Sequence, residues 1–496
     1  MFDTPIWLKD LNDQQRKAAA WGPGPLLIVA GAGSGKTKTL ACRVACLLDR
    51  GVPSERIMLL TFTRRAAREL LGRAGKIGGH KGATRVWGGT FHSVANRLLR
   101  MHGKAVGLPP SFTVMDESDS ADLMNLVRSE LELDRSKNRF PRKETLVSIY
   151  SRVVNSQTRL EEVLNAHYPW CKDDIDGIAD VFTGYNARKR ARHVLDFDDL
   201  LIFWLALMSS SAAGSIQDLF EYLLVDEYQD TNDIQARILI ALAARRPNIT
   251  VVGDDAQSIY SFRAATVDNI LQFPQHFPGT EIVTLSRNYR SSQQILDASN
   301  AVISKARKRY PKDMWCDRKD GIAPRLLTCR DEAEQSELVC EDVLARREEG
   351  MRLTEQAVLF RAAHHSAALE VELSRRNIPY VKYGGLRFVE AAHVKDVLAF
   401  LRILENPRDE LSWFRLLQLV EGVGPATARK IIGALDLMYE APEGSPIDRL
   451  PAAASNAPSS VRGAIEGLHA AAVDCGTLAP PAQIERVRPF FEDAFQ

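Results

Sequence analysis

The stretch AGAGSGKTKTL, Ala30 to Leu40, follows directly on the apolar run PLLIVA. LLIVA reads as a strand buried on both faces. TKTLACRVACLLDRG reads as a helix with Leu40, Val44, Leu47 and Leu48 on one side and Gly51 as its stop. A strand, a glycine turn and a helix in that order aim backbone N–H groups and the positive end of the helix at a polyphosphate. Gly31, Gly33 and Gly35 let the backbone approach closely, and Ala32, Ser34 and Lys38 complete the lining of the loop. Lys36 reaches the β and γ phosphates, and the Thr37 hydroxyl is a ligand for Mg²⁺. The strict pattern GxxxxGK[ST] begins with glycine, where this chain has Ala30.

A phosphate loop alone leaves kinases, GTPases, transporters and motors open, and a second site narrows the choice. YLLVDEYQDTN, Tyr222 to Asn232, is another apolar strand, and it ends in adjacent acids. Asp226 is placed to hold Mg²⁺ and Glu227 to orient and deprotonate an attacking water. Burying two carboxylates costs several kcal/mol unless a cation joins them, so the pair points to chemistry. ITVVGDDAQSIYSFRAA, Ile249 to Ala265, is a third strand and loop in which Gln257 can sense the γ phosphate. Tyr260 and Phe262 beside Arg263 offer aromatic faces next to a cation, the means by which single strands are gripped without sequence preference. These features count against a small-molecule kinase.

At 496 residues, 45% apolar and 26% charged, the composition is that of an ordinary globular protein of several domains. No apolar run approaches the ~20 residues of a membrane helix, and LLIFWLALM, Leu200 to Met208, reads as a buried helix. MFDTPIWLKD lacks the pattern of a secretory signal, so a cytoplasmic location without membrane attachment is expected. Seven cysteines without a CxxC pair fit a reducing compartment and argue against a zinc or iron–sulfur site; Cys42 and Cys46 read as core filling. With a net charge of +1, nucleic-acid affinity must come from local patches, and Arg64 to Arg85 and ARKRAR at Ala187 to Arg192 are the candidates.

LNDQQ (Leu11 to Gln15), AGAGSGKT, LLTFTRRAARELLGR (Leu59 to Arg73), GTFHSVANRLLR (Gly89 to Arg100), LDFDDLL (Leu195 to Leu201), VDEYQDTN, GDDAQSIYSFRAA and LSRNYRSSQQIL (Leu285 to Leu296) follow one another in this order. The chain thereby resembles the superfamily 1 DNA helicases of the UvrD/Rep/PcrA type. The resemblance implies ATP and Mg²⁺ as cofactors, single-stranded and duplex DNA as partners, and 3′-to-5′ movement coupled to unwinding. It also implies DNA repair or replication as the setting, without singling out a protein partner. By the same resemblance Gln15 reads adenine, Tyr289 stacks on it, and Arg290 reaches the γ phosphate from the second motor domain. Phe62, Thr63, Thr90, Phe91, His92, Phe197, Tyr260, Phe262 and Arg263 then fall where relatives contact single-stranded DNA. Many relatives carry tryptophan where Phe262 stands.

The fold so implied is α/β, with P-loop RecA-like parallel-sheet cores, inserted α-helical subdomains and an incomplete second core. The first core takes residues 1–103 and 194–277 around a helical insert at 104–193. The second takes 278–386, with EIVTL, APRLL and EQAVLFR as strands, and a second helical insert takes 387–496. YVKYGGLRFVEAAHVKDVLAFLRIL, Tyr380 to Leu404, leads into that insert. There EGVGPATARKI, Glu421 to Ile431, reads as a hairpin whose Gly422 and Gly424 present N–H groups to a duplex phosphate. The adjacent His364 and His365 read as solvated. The family's TxHxxKGLE and RLxYVAxTRA segments are not found, so the sequence reads as a C-terminally truncated helicase lacking a second γ-phosphate arginine. The other reading is an ATP-binding, DNA-binding module with little or no unwinding. On the truncated reading the isolated chain binds ATP, hydrolyses it slowly and unwinds nothing. DNA-stimulated turnover at the rate of full-length relatives, measured on this chain, contradicts that expectation.

Overall fold

The computed structural model describes residues 6–79, 81–133, 140–318, 320–383, 392–437, 444–476 and 478–492. The expected boundary at 386/387 and part of the segment Tyr380 to Leu404 lie outside them. The chain divides into two compact units, one of residues 1–321 with 396–496 and one of 322–395.

The first unit is built on a parallel sheet. Its strands are β1 (Leu26–Ala30), β2 (Ile57–Leu60), β3 (Trp87–Gly89), β6 (Tyr222–Val225), β7 (Ile249–Gly253) and β8 (Glu281–Leu285); a separate short ladder joins β4 (Thr113–Val114) to β5 (Val194–Leu195). The sheet order is β3-β2-β6-β7-β1-β8. Every residue of β1 is fully buried, because helices cover both faces of the sheet. The pleat divides the strand: Leu27 and Val29 pack with Trp204, Leu98 and Leu239 on one face, while Leu26, Ile28 and Ala30 pack with Leu40, Val44 and Leu70 on the other. Registers such as Val29 opposite Gly253, Ala30 opposite Leu285 and Leu60 opposite both Gly89 and Val225 bring the carboxyl ends of all six strands to one edge. In open α/β sheets, ligands bind at that edge.

EIVTL differs from expectation. As β8 it extends the first sheet beside β1, and does not open a second one. The other two expected strands, APRLL and EQAVLFR, form no ladder among the described residues. The unit 322–395 is held by the helices Glu332–Glu348 and Ala367–Arg375, packed through Cys340, Leu369, Leu373 and Ile378. An extended apolar segment becomes a strand only where a neighbour takes its hydrogen bonds, and Leu326 and Leu359 instead stand more than 90% exposed. His364 and His365 are exposed, as read from the sequence. Among the described residues, no helix is long and apolar enough to cross a membrane.

The ladder of β4 and β5 forms the neck of the first insert, whose helices Glu117–Glu130, Lys143–Ser156, Leu160–His167 and Ile175–Ala191 enclose Met124, Ile149, Ile178 and Val181. Within it lies a buried polar cluster. Lys189 Nζ lies 2.5 Å from Asp196 Oδ2 and 2.7 Å from Asp199 Oδ2, and the Tyr185 hydroxyl donates to Asp196 at 2.8 Å. This corrects the reading of ARKRAR as an open basic patch. Lys189 is buried, and Arg188 and Arg192 are turned to Glu410, with Arg188 also bonded to Glu130. Carboxylates closed in by folding draw these cations away from solvent.

The last described helices, from Ala392–Glu405 to Pro480–Glu492, surround Phe400, Trp413, Leu416, Ile431 and Ile465. They meet the first insert through Glu410, Arg402 on Asp119, and Asn406 Nδ2, which donates to Thr113 Oγ1 at 2.9 Å. Cys42 and Cys46 fill core space as expected, and burial pushes both thiols up to about 11. Substituting Lys189 with Met leaves Asp196 and Asp199 without their cation. The expected cost is about 3–5 kcal/mol, read as a lower urea midpoint.

Candidate nucleotide and nucleic-acid site

The loop after β1 reaches the carboxyl edge of the sheet with Gly33 and Gly35 in the left-handed region, at φ +75° and +85°. A Cβ on Gly33 would come within 2.6 Å of Asn288 Nδ2, and one on Gly35 within 2.7 Å of Gln15 Nε2, so bare backbone is required at both. Ala30, by contrast, is the last residue of β1 and its methyl is buried in the core, which explains why glycine is not needed there. Ser34 folds back, its hydroxyl donating to Gly31 O at 2.7 Å. Lys36 opens the helix Lys36–Asp49, whose N-cap Gly35 supplies no side-chain cap, leaving the first-turn N–H groups facing the loop. Thr37 Oγ1 takes no hydrogen bond among the described residues, while Lys38 turns away to Asp10 O at 3.1 Å.

Across the edge, Glu227 sits in the left-handed region at φ +51° and accepts from Lys36 Nζ at 2.8 Å. From there a hydrogen-bonded chain crosses the sheet edge. Gln229 is 1% exposed; its Nε2 donates to Glu227 Oε2 at 2.9 Å, and its Oε1 accepts from the Asp254 N–H at 3.0 Å. Asp254 Oδ2 in turn accepts from Gln257 Nε2 at 2.6 Å. Lys36, Glu227 and Gln257 are therefore joined through Gln229 and Asp254. Asp226 stands beside Glu227, whose N–H donates to it at 3.1 Å. Burial, then the charge of Glu227, push its carboxyl up to about 6 against the pull of Lys36. The same two causes push Asp230 up to about 7. Among the described residues these acids form no group of three metal-ligating side chains, so a divalent cation here would take its remaining ligands from phosphate oxygens or water.

On the other side of the loop, Gln15 Nε2 donates to Ser34 O at 2.9 Å and its Oε1 accepts from the Asn12 N–H at 3.1 Å. Asn12 Nδ2 reaches the Tyr289 hydroxyl at 2.9 Å, which sets Gln15 and Tyr289 around one end of the loop. Tyr289 N–H donates to Gly33 O at 2.9 Å, and Asn288 Nδ2 to Ala32 O at 2.6 Å. Arg290 follows, its N–H held by Asn288 Oδ1 at 2.7 Å.

The expected DNA residues divide. Phe62, Tyr260 and Phe262 form an aromatic row, with ring centroids 4.6 Å apart for the first pair and 5.7 Å for the second; Phe62 and Phe262 are exposed. His92 and Phe197 meet edge to face at 5.8 Å. Thr63 and Thr90 cap helices, their hydroxyls accepting from the N–H groups of Ala66 and Ser93. Phe91 does not join the row. It is buried against Trp204, because the first turn of its helix faces the core. The side chain of Arg263 lies outside the described residues. Of the Arg64 to Arg85 run, Arg64, Arg65 and Arg68 are exposed just after Phe62, without ion pairs among the described residues, whereas Arg73 and Arg85 pair with Glu69 and Glu55.

Two family models cover most of this framework. Residues 11–278 match the UvrD/REP helicase N-terminal domain, and 283–440 the UvrD-like helicase C-terminal domain. The chain belongs to the UvrD/REP helicase family. It is 35% identical over 469 residues to the ATP-dependent DNA helicase PcrA of Leuconostoc citreum, an alignment covering 92% of this chain and 61% of that one. PcrA proteins of Staphylococcus epidermidis and Staphylococcus aureus are 34% identical over 428 residues, 86% of this chain and 58% of theirs. The chain spans about three fifths of the length of these relatives.

Nothing in the sequence marks Gln229 or Asn288 as site residues. Both lie inside motifs quoted for other residues, but a polar side chain in a motif carries no mark of which backbone group it will meet. Because Asp226 has a higher pKa folded than unfolded, ionising it costs native stability; that cost is absent below about pH 4 and complete above about pH 6. Asp226→Asn is therefore expected to raise the melting temperature at about pH 8 and to leave it unchanged at about pH 4, by scanning fluorimetry at each pH.

Proposed function

We propose that this chain binds MgATP at the carboxyl edge of its sheet and couples ATP hydrolysis to movement on single-stranded DNA; duplex unwinding 3′ to 5′ is what the family resemblance implies where the TxHxxKGLE and RLxYVAxTRA segments are also present. The observation that carries the proposal is the hydrogen-bonded chain from Lys36 through Glu227, Gln229 and Asp254 to Gln257, which ends at the turn bearing Tyr260 and Phe262. In this reading Gln15 and Tyr289 hold the adenine, the backbone from Ala30 to Lys38 with Lys36 and Arg290 holds the phosphates, and Thr37 and Asp226 hold Mg²⁺. The ion supplies charge neutralisation on the phosphate oxygens.

Glu227 then orients and deprotonates the attacking water. It is now paired with Lys36, so a phosphate that recruits the lysine releases this carboxylate for the water. Gln257 responds to the terminal phosphate. Release of its amide from Asp254 loosens the turn that follows and with it the grip of the aromatic row. Phe62, Tyr260 and Phe262 stack on bases, His92 and Phe197 extend the row, and Arg64, Arg65 and Arg68 offer cations for the backbone.

The proposal also assigns residues 1–103 and 194–277, joined by the strand β8, to a first motor core, 104–193 and 387–496 to helical inserts, and the part of 278–386 that follows β8 to the start of a second core. The turn at Gly422 and Gly424, where the helix Pro425–Leu435 starts without a side-chain cap, suits a duplex phosphate.

The test combines ATP turnover and oligo-dT binding on the chain and two variants. Lys36→Ala is expected to abolish turnover. Phe262→Ala is expected to weaken oligo-dT binding by about tenfold, the loss of one stacked base, while nucleotide affinity holds. Turnover that survives Lys36→Ala, or a chain that binds neither ATP nor oligo-dT, sinks the reading.

A further inference from the structure

A buried lysine far along the chain grips the loop that bears Gln257. Lys312 Nζ lies 2.5 Å from Asp254 Oδ1 and also bonds Asp255 Oδ1, and all three side chains are nearly inaccessible to solvent. Asp254 is the acceptor for Gln257 Nε2 and for the Ala256 N–H, and Asp255 Oδ2 accepts from the Tyr310 N–H at 3.2 Å. Closing a lysine and two carboxylates away from water is seldom the most stable filling of a core, and apolar residues of similar volume do as well or better. What such a cluster adds is a fixed geometry.

The stretch around Lys312 touches the other parts of the site in turn. A Cβ on Gly31 in the phosphate loop would run into the Met314 sulfur, and Met314 is pinned by Asn300 through both its N–H and its carbonyl. Trp315 N–H donates to Ser286 O at 3.1 Å and Trp315 O accepts from the Asn288 N–H at 2.7 Å, directly before Tyr289 and Arg290. Through Lys312, Met314 and Trp315 this short stretch thus touches the GDDAQ loop, the phosphate loop and the Ser286–Asn288 segment that leads into Tyr289 and Arg290.

We propose that Lys312 is a positioning residue that holds the GDDAQ loop in register with the phosphate loop, so that Gln257 and the aromatic turn after it move together. The consequence for DNA grip rests on the function proposed above; the consequence for loop order does not. Without the ammonium, Asp254 and Asp255 repel one another, and the bonds of Asp254 to Gln257 and Ala256 loosen.

Hydrogen–deuterium exchange of the peptide spanning 254–263 tests this in the full chain, alongside oligo-dT affinity. In Lys312→Met that peptide is expected to exchange about tenfold faster, with peptides from β1 and β6 unchanged. Oligo-dT binding is expected to weaken severalfold, and Lys312→Arg to restore part of both. Should Lys312→Met fail to fold, the neutral combination K312M/D254N/D255N, which relieves the repulsion, is expected to fold and still to show the faster loop exchange. Exchange at the wild-type rate in either folded variant overturns the proposal, and so does faster exchange with unaltered oligo-dT affinity in a chain that binds oligo-dT. A wild-type chain that binds no oligo-dT overturns the function instead, and the exchange comparison then decides the role of Lys312 by itself.

Discussion

The ion pair between Lys36 and Glu227 is the contact on which the rest of the site depends. It joins the loop after β1 to the acids after β6, two strands separated in the sheet by β7, at the edge where parallel strands leave their carboxyl ends. Neither partner is stable there alone. A lysine in that position needs an anion, and Glu227, held in a left-handed conformation beside the half-buried Asp226, needs a cation. In the proposed function a phosphate that recruits Lys36 displaces this pairing.

Gln229 carries that state sideways. Fully enclosed, it has one amide face on Glu227 and the other on the backbone of Asp254, so a change in the Glu227 carboxylate alters what the next loop can bond. Asp254 then divides its oxygens between Gln257 and Lys312, and the aromatic turn follows within a few residues. Coupling of this kind needs no long-range deformation. A short series of satisfied buried polar groups suffices, because each has a single good arrangement and leaving any one unpaired is costly.

The helical inserts use charge differently. The basic run ARKRAR shows how most of an apparent surface patch is drawn inward, Arg190 alone of its cations staying exposed: Lys189 closes a cluster with Asp196 and Asp199, and Arg188 and Arg192 reach Glu410 in the later helices. These contacts tie two helical regions more than two hundred residues apart in sequence, and they leave the exposed arginines after Phe62 as a more open basic surface near the aromatic row.

The local units follow from the order of residues alone. The apolar run before Ala30 forces a doubly buried strand, glycines at 33 and 35 meet a backbone path that admits no side chain, and Lys36, Asp226, Glu227 and Gln257 stand at strand ends because the parallel sheet ends there. Pairing at a distance is settled in the folded chain. EIVTL has strand chemistry that suits either of two sheets, and it joined β1 because that edge could take its hydrogen bonds; APRLL and EQAVLFR, equally apolar, found no such edge among the described residues. Phe91 turned inward because its helix start packs on Trp204, and Lys312 entered the site from a segment with no motif of its own. Periodicity and glycine spacing record how a chain bends locally, whereas the partner of a buried charge or an unpaired strand edge is fixed only when distant segments compete for the same few groups.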